Sequence, residues 1–349
     1  MKGMKIGVDF GSFSLRMCTE SNMNAVDELS SAAFASESGT PIAYGRRAAT
    51  LDGRTDTNIS VTQMITSGVI SDFTFAEKIL TAYFSRVCGN RIYKPNVLVS
   101  LPSDVTNIEK KIFLDAVTRA GAGRACLVDG ILASALGCGI SQDKIGGRMI
   151  IDFGHQTTEI GIVSMGTIVA AATVRHGSFD IDSAIIRHFK KDRDIIIGPH
   201  TARFIKHQIA SAMERECELS LMVSGKSGID EMPISFEVTS TEIFPFVDEQ
   251  ISLLISEIHS HLQKISPELL SDAADHGITL CGGGVLLFDI AERFEKELGI
   301  RCSVAEDPEK ARIYGIHRIM KDDTIIENNG YQFIFKDDIR GRLKRFDKI

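Results

Sequence analysis

Short apolar runs that stop at an aspartate punctuate this sequence. Met149-Ile150-Ile151 ends at Asp152, turns through Phe153-Gly154-His155-Gln156 to the hydroxyls of Thr157 and Thr158, and alternates onward to Val163. Lys5-Ile6-Gly7-Val8 ends in the same way at Asp9-Phe10-Gly11, followed by Ser12, Phe13 and Ser14. Both stretches read as β-hairpins. Their recurrence 143 positions apart predicts a duplicated fold. A third apolar strand, Ile278-Thr279-Leu280-Cys281, runs into Gly282-Gly283-Gly284.

Between these strands the apolar period lengthens to that of a helix. Phe73 to Cys88 places Ile79, Leu80, Tyr83 and Phe84 on one face, and Asn107 to Ala120 does so with Ile112, Phe113, Ala116 and Val117. Ile131 to Leu136 starts another helix. In the second half, helices are expected over Asp182–Lys190, Thr201–Cys217 and Thr241–Ile265, with strand-like alternation over Ile229–Thr239. Strands joined by helices, twice over, predict two α/β domains with a cleft between them. Gly146-Gly147 breaks the chain before the second hairpin and marks the boundary.

Composition narrows the class. With 349 residues, 44% of them apolar and 24% charged, the chain can bury a core in each of two domains. A net charge of −7 argues against nucleic acid as a partner. Seven cysteines form no C-x-x-C pair and mostly lie in apolar segments, which predicts reduced thiols in a cytoplasmic protein. No apolar run reaches membrane-spanning length.

The hairpin tips carry the candidate chemistry. Amides lining a tight turn form an anion-binding concavity, and glycine lets backbone approach a phosphate without a Cβ in the way. Gly11, Ser12, Phe13 and Ser14 form one such tip, and Gly154, His155, Gln156, Thr157 and Thr158 the other. Asp9 and Asp152 would add one carboxylate from each domain, although either alone also suits a turn cap. Gly282-Gly283-Gly284 serves as a tight turn with or without a ligand.

These three pieces, in this order and spacing, resemble the actin/Hsp70-type ATPases, and within them the bacterial actin MreB family. Ser67-Gly68-Val69-Ile70-Ser71-Asp72-Phe73, Ser100-Leu101-Pro102-Ser103, Glu109-Lys110-Lys111 and Ala305-Glu306-Asp307-Pro308 extend the resemblance over about residues 4 to 320. It implies duplicated ribonuclease-H-type domains around a nucleotide cleft. Domain I would be 1–146, with a small inserted subdomain at about 27–66, rejoined by about 312–349. Domain II would be 147–311, with an insertion at about 182–242. ATP and Mg²⁺ are the implied cofactors: Asp9 and Asp152 at the metal, the two hairpin tips on the phosphates, and Gly282 to Gly284, Lys206 and Gln208 at the nucleoside.

The resemblance also implies filaments of the chain itself, peripheral at the inner face of the cell membrane, working with a complex for cell shape and wall synthesis. Ile92 and Tyr93, flanked by Arg91 and Lys94, stand where the family carries a membrane-dipping apolar pair. The tail from Tyr331 has no family counterpart; its basic end, Arg340 to Lys348, suits either anionic lipid or docking on its own domain.

Two departures bear on turnover. The family's second loop reads Asp-x-Gly-Gly-Gly-Thr-Thr, whereas His155 and Gln156 replace the last two glycines here. His155 is expected to be a solvent-facing turn residue. Where the family opens a helix with the glutamate that orients the attacking water, this chain has Gly130, with Asp129 one residue early as the remaining catalytic candidate. The sequence therefore predicts a weak ATPase at most. A non-filamentous actin-like nucleotide-sensing scaffold or chaperone-type module stays open as an alternative, and a sugar kinase lacks a clear catalytic aspartate.

Overall fold

The computed structural model describes residues 4–52, 58–89, 94–140 and 146–335. The chain divides into two compact units. One comprises Met1–Ile145, Val163–Thr173 and Glu309–Ile349; the other comprises Gly146–Ile162 and Val174–Pro308.

The first unit is built on a six-stranded sheet, in spatial order 334–335, 124–129, 96–101, 5–10, 14–19, 26–29. Lys5–Phe10, Asn96–Leu101 and Arg124–Asp129 run parallel, with Asp9 opposite Ser100 and Asp129 opposite Leu101. Their apolar side chains are buried on both faces, as a parallel sheet covered by helices requires. The helix Phe73–Cys88 starts at Asp72, whose carboxylate accepts from the Phe75 amide, and Thr106 with Glu109 forms a capping box for Asn107–Arg119. Their inward residues Ile79, Leu80, Tyr83, Phe84, Phe113, Ala116 and Val117 join Ile6, Val8, Val97 and Val99 in one core. A smaller antiparallel sheet of 41–44, 31–35 and 59–63 occupies the expected insertion.

Helices Gly130–Gly137 and Ala311–Lys321 of this unit cross in close backbone contact. A Cβ on Gly137 would overlap the Ala311 carbonyl, and one on Gly315 would overlap that of Ala133. Only glycine permits this approach.

The other large sheet has five strands in the order 167–174, 158–164, 148–153, 278–281, 302–304, the last three of which lie in the second unit. Arg148–Phe153 pairs in parallel with Ile278–Cys281, which pairs in parallel with Cys302–Val304. A three-stranded sheet of 195–196, 220–227 and 233–239 stands apart from it. Strand-like alternation is expected over Ile229–Thr239; the strand covers Pro233–Thr239, and its partner Ser220–Ser227, with few apolar residues, is not foreseen. The helix expected to reach Cys217 covers only Pro199–Ile209. Ala210 turns extended, and Ser211 and Ala212 meet Phe288 as a bridge.

Candidate functional site

Both hairpin tips close with the same bond. The Gly11 amide donates to the Ser14 carbonyl and the Gly154 amide to the Thr157 carbonyl, each at 2.9 Å. Each tip is then tied from behind through its carbonyls. In the first unit, Ser30 donates its hydroxyl to Gly11 O at 2.5 Å and its amide to Phe13 O at 2.9 Å. In the second, the opening amides of helix Ser178–Asp192 hold the tip: Ser178 donates to Gly154 O at 3.1 Å and Phe179 to His155 O at 2.7 Å. With these carbonyls pulled back, the tips are built of amides and hydroxyls, the donor set a phosphate needs. Gly154 has no room for a side chain, since a Cβ would stand 2.7 Å from the Thr157 carbonyl. Gly177, which the sequence did not single out, is required for the same reason: its Cβ would strike the His155 carbonyl.

A carboxylate precedes each tip at the end of a buried strand. Asp9 is 7% exposed and accepts from the Ser100 hydroxyl at 3.4 Å, and Asp152 is 6% exposed. The glycine triplet lies against the second tip. Gly282, with φ of 87°, sits so that a Cβ would be 2.5 Å from the Asp152 carboxylate, and Gly284 lies on the Phe153 ring. The Gly282 amide donates to Pro308 O at 2.8 Å and the Ala305 amide to Leu280 O at 2.9 Å. These bonds give Ala305-Glu306-Asp307-Pro308 its role: it braces the glycine turn.

Other sequence candidates are engaged within the second unit. The Thr158 hydroxyl donates to His176 O at 2.8 Å. Lys206 is 7% exposed; its ammonium lies 2.7 Å from the fully buried Asp182 and donates to Ser178 O at 2.8 Å. Burial pulls the Lys206 ammonium below its ordinary pKa, with Asp182 working in the opposite direction. Gln208 points out to solvent, since residues two apart on a helix face different ways, so the structure does not bring these two together. His155 is half-buried rather than solvent-facing. Its ring packs edge-on against Phe179 at 5.3 Å, and burial, with the nearby positive charges of Arg203 and Lys206, lowers its pKa to about 3. A turn position in sequence gives no sign of this packing.

The start of helix Gly130–Gly137 differs from both tips. The Asp129 carboxylate accepts a 2.8 Å hydrogen bond from the Tyr331 hydroxyl, which in turn accepts from the Asp129 amide at 3.2 Å. Burial first, and then the Asp129 charge, push the Tyr331 phenol well above its ordinary pKa. Strand Ile334–Phe335 follows, adding to the sheet antiparallel to Arg124–Asp129. Ile92, Tyr93 and the basic tail lie outside the described residues. Among the described residues, no helix is long and apolar enough to cross a membrane.

A family model described as MreB/Mbl protein matches residues 3–328. The chain belongs to the MreB/Mbl family. It is 33% identical over 268 residues to the cell shape-determining protein MreB of Escherichia coli K12, covering 76% of this chain and 77% of that protein. To the cell shape-determining protein Mbl of Bacillus subtilis 168 it is 27% identical over 304 residues, covering 87% and 91%. Among solved structures it is similar to MreB5 of Spiroplasma citri bound to AMPPNP, with TM-score 0.88 and 27% identity over 94% of this chain and 98% of that one. The ADP-bound MreB5 gives TM-score 0.88 and 26% identity, covering 93% and 98%. A chain of the MamK double helical filament, 15% identical, gives TM-score 0.77 over 91% and 99%, a likeness of fold. The fold is that of the actin-like MreB proteins, and the family match ends at Asn328, just before Tyr331.

Proposed function

We propose that this chain is an ATP-binding, MreB-type cytoskeletal protein that assembles into filaments and hydrolyses ATP slowly. The observation that carries the reading is the pair of glycine tips, closed by the same bond and each preceded by a buried aspartate. Two carboxylates of this kind suit Mg²⁺, which binds through few protein oxygens and keeps several waters. Asp9 and Asp152 would hold the ion, which when bound neutralises charge on the phosphates. Gly11 to Ser14 and Gly154 to Thr157 would bind the phosphate chain, and Gly282 to Gly284 would leave room for the nucleoside. The AMPPNP and ADP bound to the MreB5 relatives support nucleotide as the ligand.

Slow turnover follows from the helix start. Phosphoryl transfer to water asks the protein mainly for positioning and charge stabilisation. Here Gly130 has no side chain to orient a water, and the Asp129 carboxylate is hydrogen-bonded to Tyr331. The same observation favours the second reading, a nucleotide-sensing actin-like scaffold that does not polymerise. In the first reading the protein acts with itself, at the inner face of the cell membrane, in determining cell shape, the role named for its relatives, and with a wall-synthesis complex that the family resemblance implies.

Sedimentation and electron microscopy of the purified chain with Mg²⁺-ATP, with and without anionic liposomes, test the proposal. Filaments are expected, together with nucleotide binding that Asp9→Ala or Asp152→Ala abolishes. Nucleotide binding with no polymer at any concentration would leave the scaffold reading. No nucleotide binding would refute both.

A further inference from the structure

The helix start is not merely missing a side chain; another side chain lies in its place. A Cβ built on Gly130 would stand 2.8 Å from Arg312 Nη1 and 3.0 Å from Arg312 Cζ, with the Leu101 carbonyl also at 3.0 Å. The guanidinium therefore lies across the space that a residue at 130 would occupy. Its Nε donates to the Ser134 hydroxyl at 3.3 Å, one turn further along the same helix. The crossing of the two helices fixes this seat: Gly315 over Ala133 and Ala311 over Gly137 bring the backbones together on either side of Arg312.

The seat belongs to the carboxyl end of the first unit's parallel strands. Asp129 lies opposite Leu101, and Ser100 lies opposite Asp9. Strands in a sheet are about 4.8 Å apart, so two strand steps separate Asp9 from the helix start by about 10 Å. Carboxyl strand ends are where open α/β sheets bind ligands. A triphosphate laid over Gly11 to Ser14 would extend over that distance.

We infer that Arg312 is the group of this chain that reads the terminal phosphate of a nucleoside triphosphate. The inference rests on the nucleotide-binding reading above. A glutamate in this place would accept hydrogen bonds and orient water. A guanidinium has five donors and no acceptor, so it cannot act as a base, but it pairs with phosphate oxygens in a two-pronged fork. Replacing the one by the other turns a hydrolytic position into a holding position. Such a chain would distinguish ATP from ADP by affinity and retain the triphosphate.

The test compares binding of AMPPNP and ADP, each with Mg²⁺, to the full chain and to its Arg312→Ala and Arg312→Lys variants, with circular dichroism melts to confirm folding. Arg312→Ala should weaken AMPPNP by about 10- to 100-fold, the scale of a lost charge-assisted bond, and ADP by less than about threefold. Arg312→Lys, which keeps the charge and loses the fork, should fall between wild type and alanine for AMPPNP. If wild type binds both nucleotides and Arg312→Ala weakens them equally, or not at all, the role of Arg312 is overturned while the nucleotide reading stands. If wild type binds neither nucleotide, the reading itself fails, and the inference with it.

Discussion

Acid should loosen the second phosphate tip through one residue, His155. In an unfolded chain its imidazole takes up a proton near pH 6.5; in the folded unit, burial beside Arg203 and Lys206 lowers that to about 3. A base whose folded pKa is depressed contributes its full stability above the unfolded value. It loses that stability progressively as pH falls below 6.5, because the unfolded state then binds a proton that the folded state refuses. Each pH unit in that window costs about 1.4 kcal/mol, so lowering pH from 7.5 to 5.0 removes roughly 2 kcal/mol through this group alone. The affected structure is local. His155 packs on Phe179, and its carbonyl accepts the Phe179 amide, so charging the ring pries the tip from the helix that holds it. The assay is urea denaturation at pH 7.5 and 5.0 for wild type and His155→Gln, with hydrogen exchange across 148–164 as the local probe. Contributions common to the two proteins cancel in the difference. Wild type should lose about 2 kcal/mol more than the variant over this window. Parallel pH dependence in the two proteins would refute the burial argument.

Two further outcomes follow from the same geometry. Asp182→Asn leaves the buried Lys206 ammonium, and Arg203 at 3.4 Å, without their shared carboxylate, which should cost about 3–5 kcal/mol in a urea titration. Asp182→Asn with Lys206→Met should recover much of that loss, and a single variant as stable as wild type would show that the pair is not buried. Tyr331→Phe removes the hydroxyl that donates to the Asp129 carboxylate and should cost about 1–3 kcal/mol in a urea titration; a variant as stable as wild type would show that this bond contributes nothing to the fold.

What the sequence made legible was local. Each hairpin tip is a continuous run of five to seven residues whose strand, aspartate, glycine and hydroxyl stand in fixed order, so pattern and chemistry could be read together. The glycine triplet and its Asp-Pro brace are equally short, though their bond, Gly282 to Pro308, spans 26 positions and appears only in the fold. The Asp182–Lys206 pair was not legible, because a helical lysine is ordinarily solvated and the carboxylate that lets this one be buried lies on a different helix. His155 misled because turn residues are usually exposed, whereas this turn rests on the N-terminal end of a helix. The Tyr331–Asp129 bond joins residues 202 apart, one of them beyond the family match, and no periodicity reports such a pair.

The helix start shows why a family role cannot be judged from one aligned position. In sequence, Gly130 reads as a deletion, a glutamate lost with nothing gained, and the natural repair is to put the carboxylate back. In the folded unit the same glycine is the condition for Arg312 to occupy its seat, since any Cβ at 130 would press on the guanidinium and on the Leu101 carbonyl. A glutamate restored alone would meet a cation at contact distance and pair with it, rather than reach a water. The two positions are 182 residues apart in the chain but touch across a helix crossing that two glycines make possible. The unit of change here is therefore the contact, and replacing one partner alone leaves the other in the way.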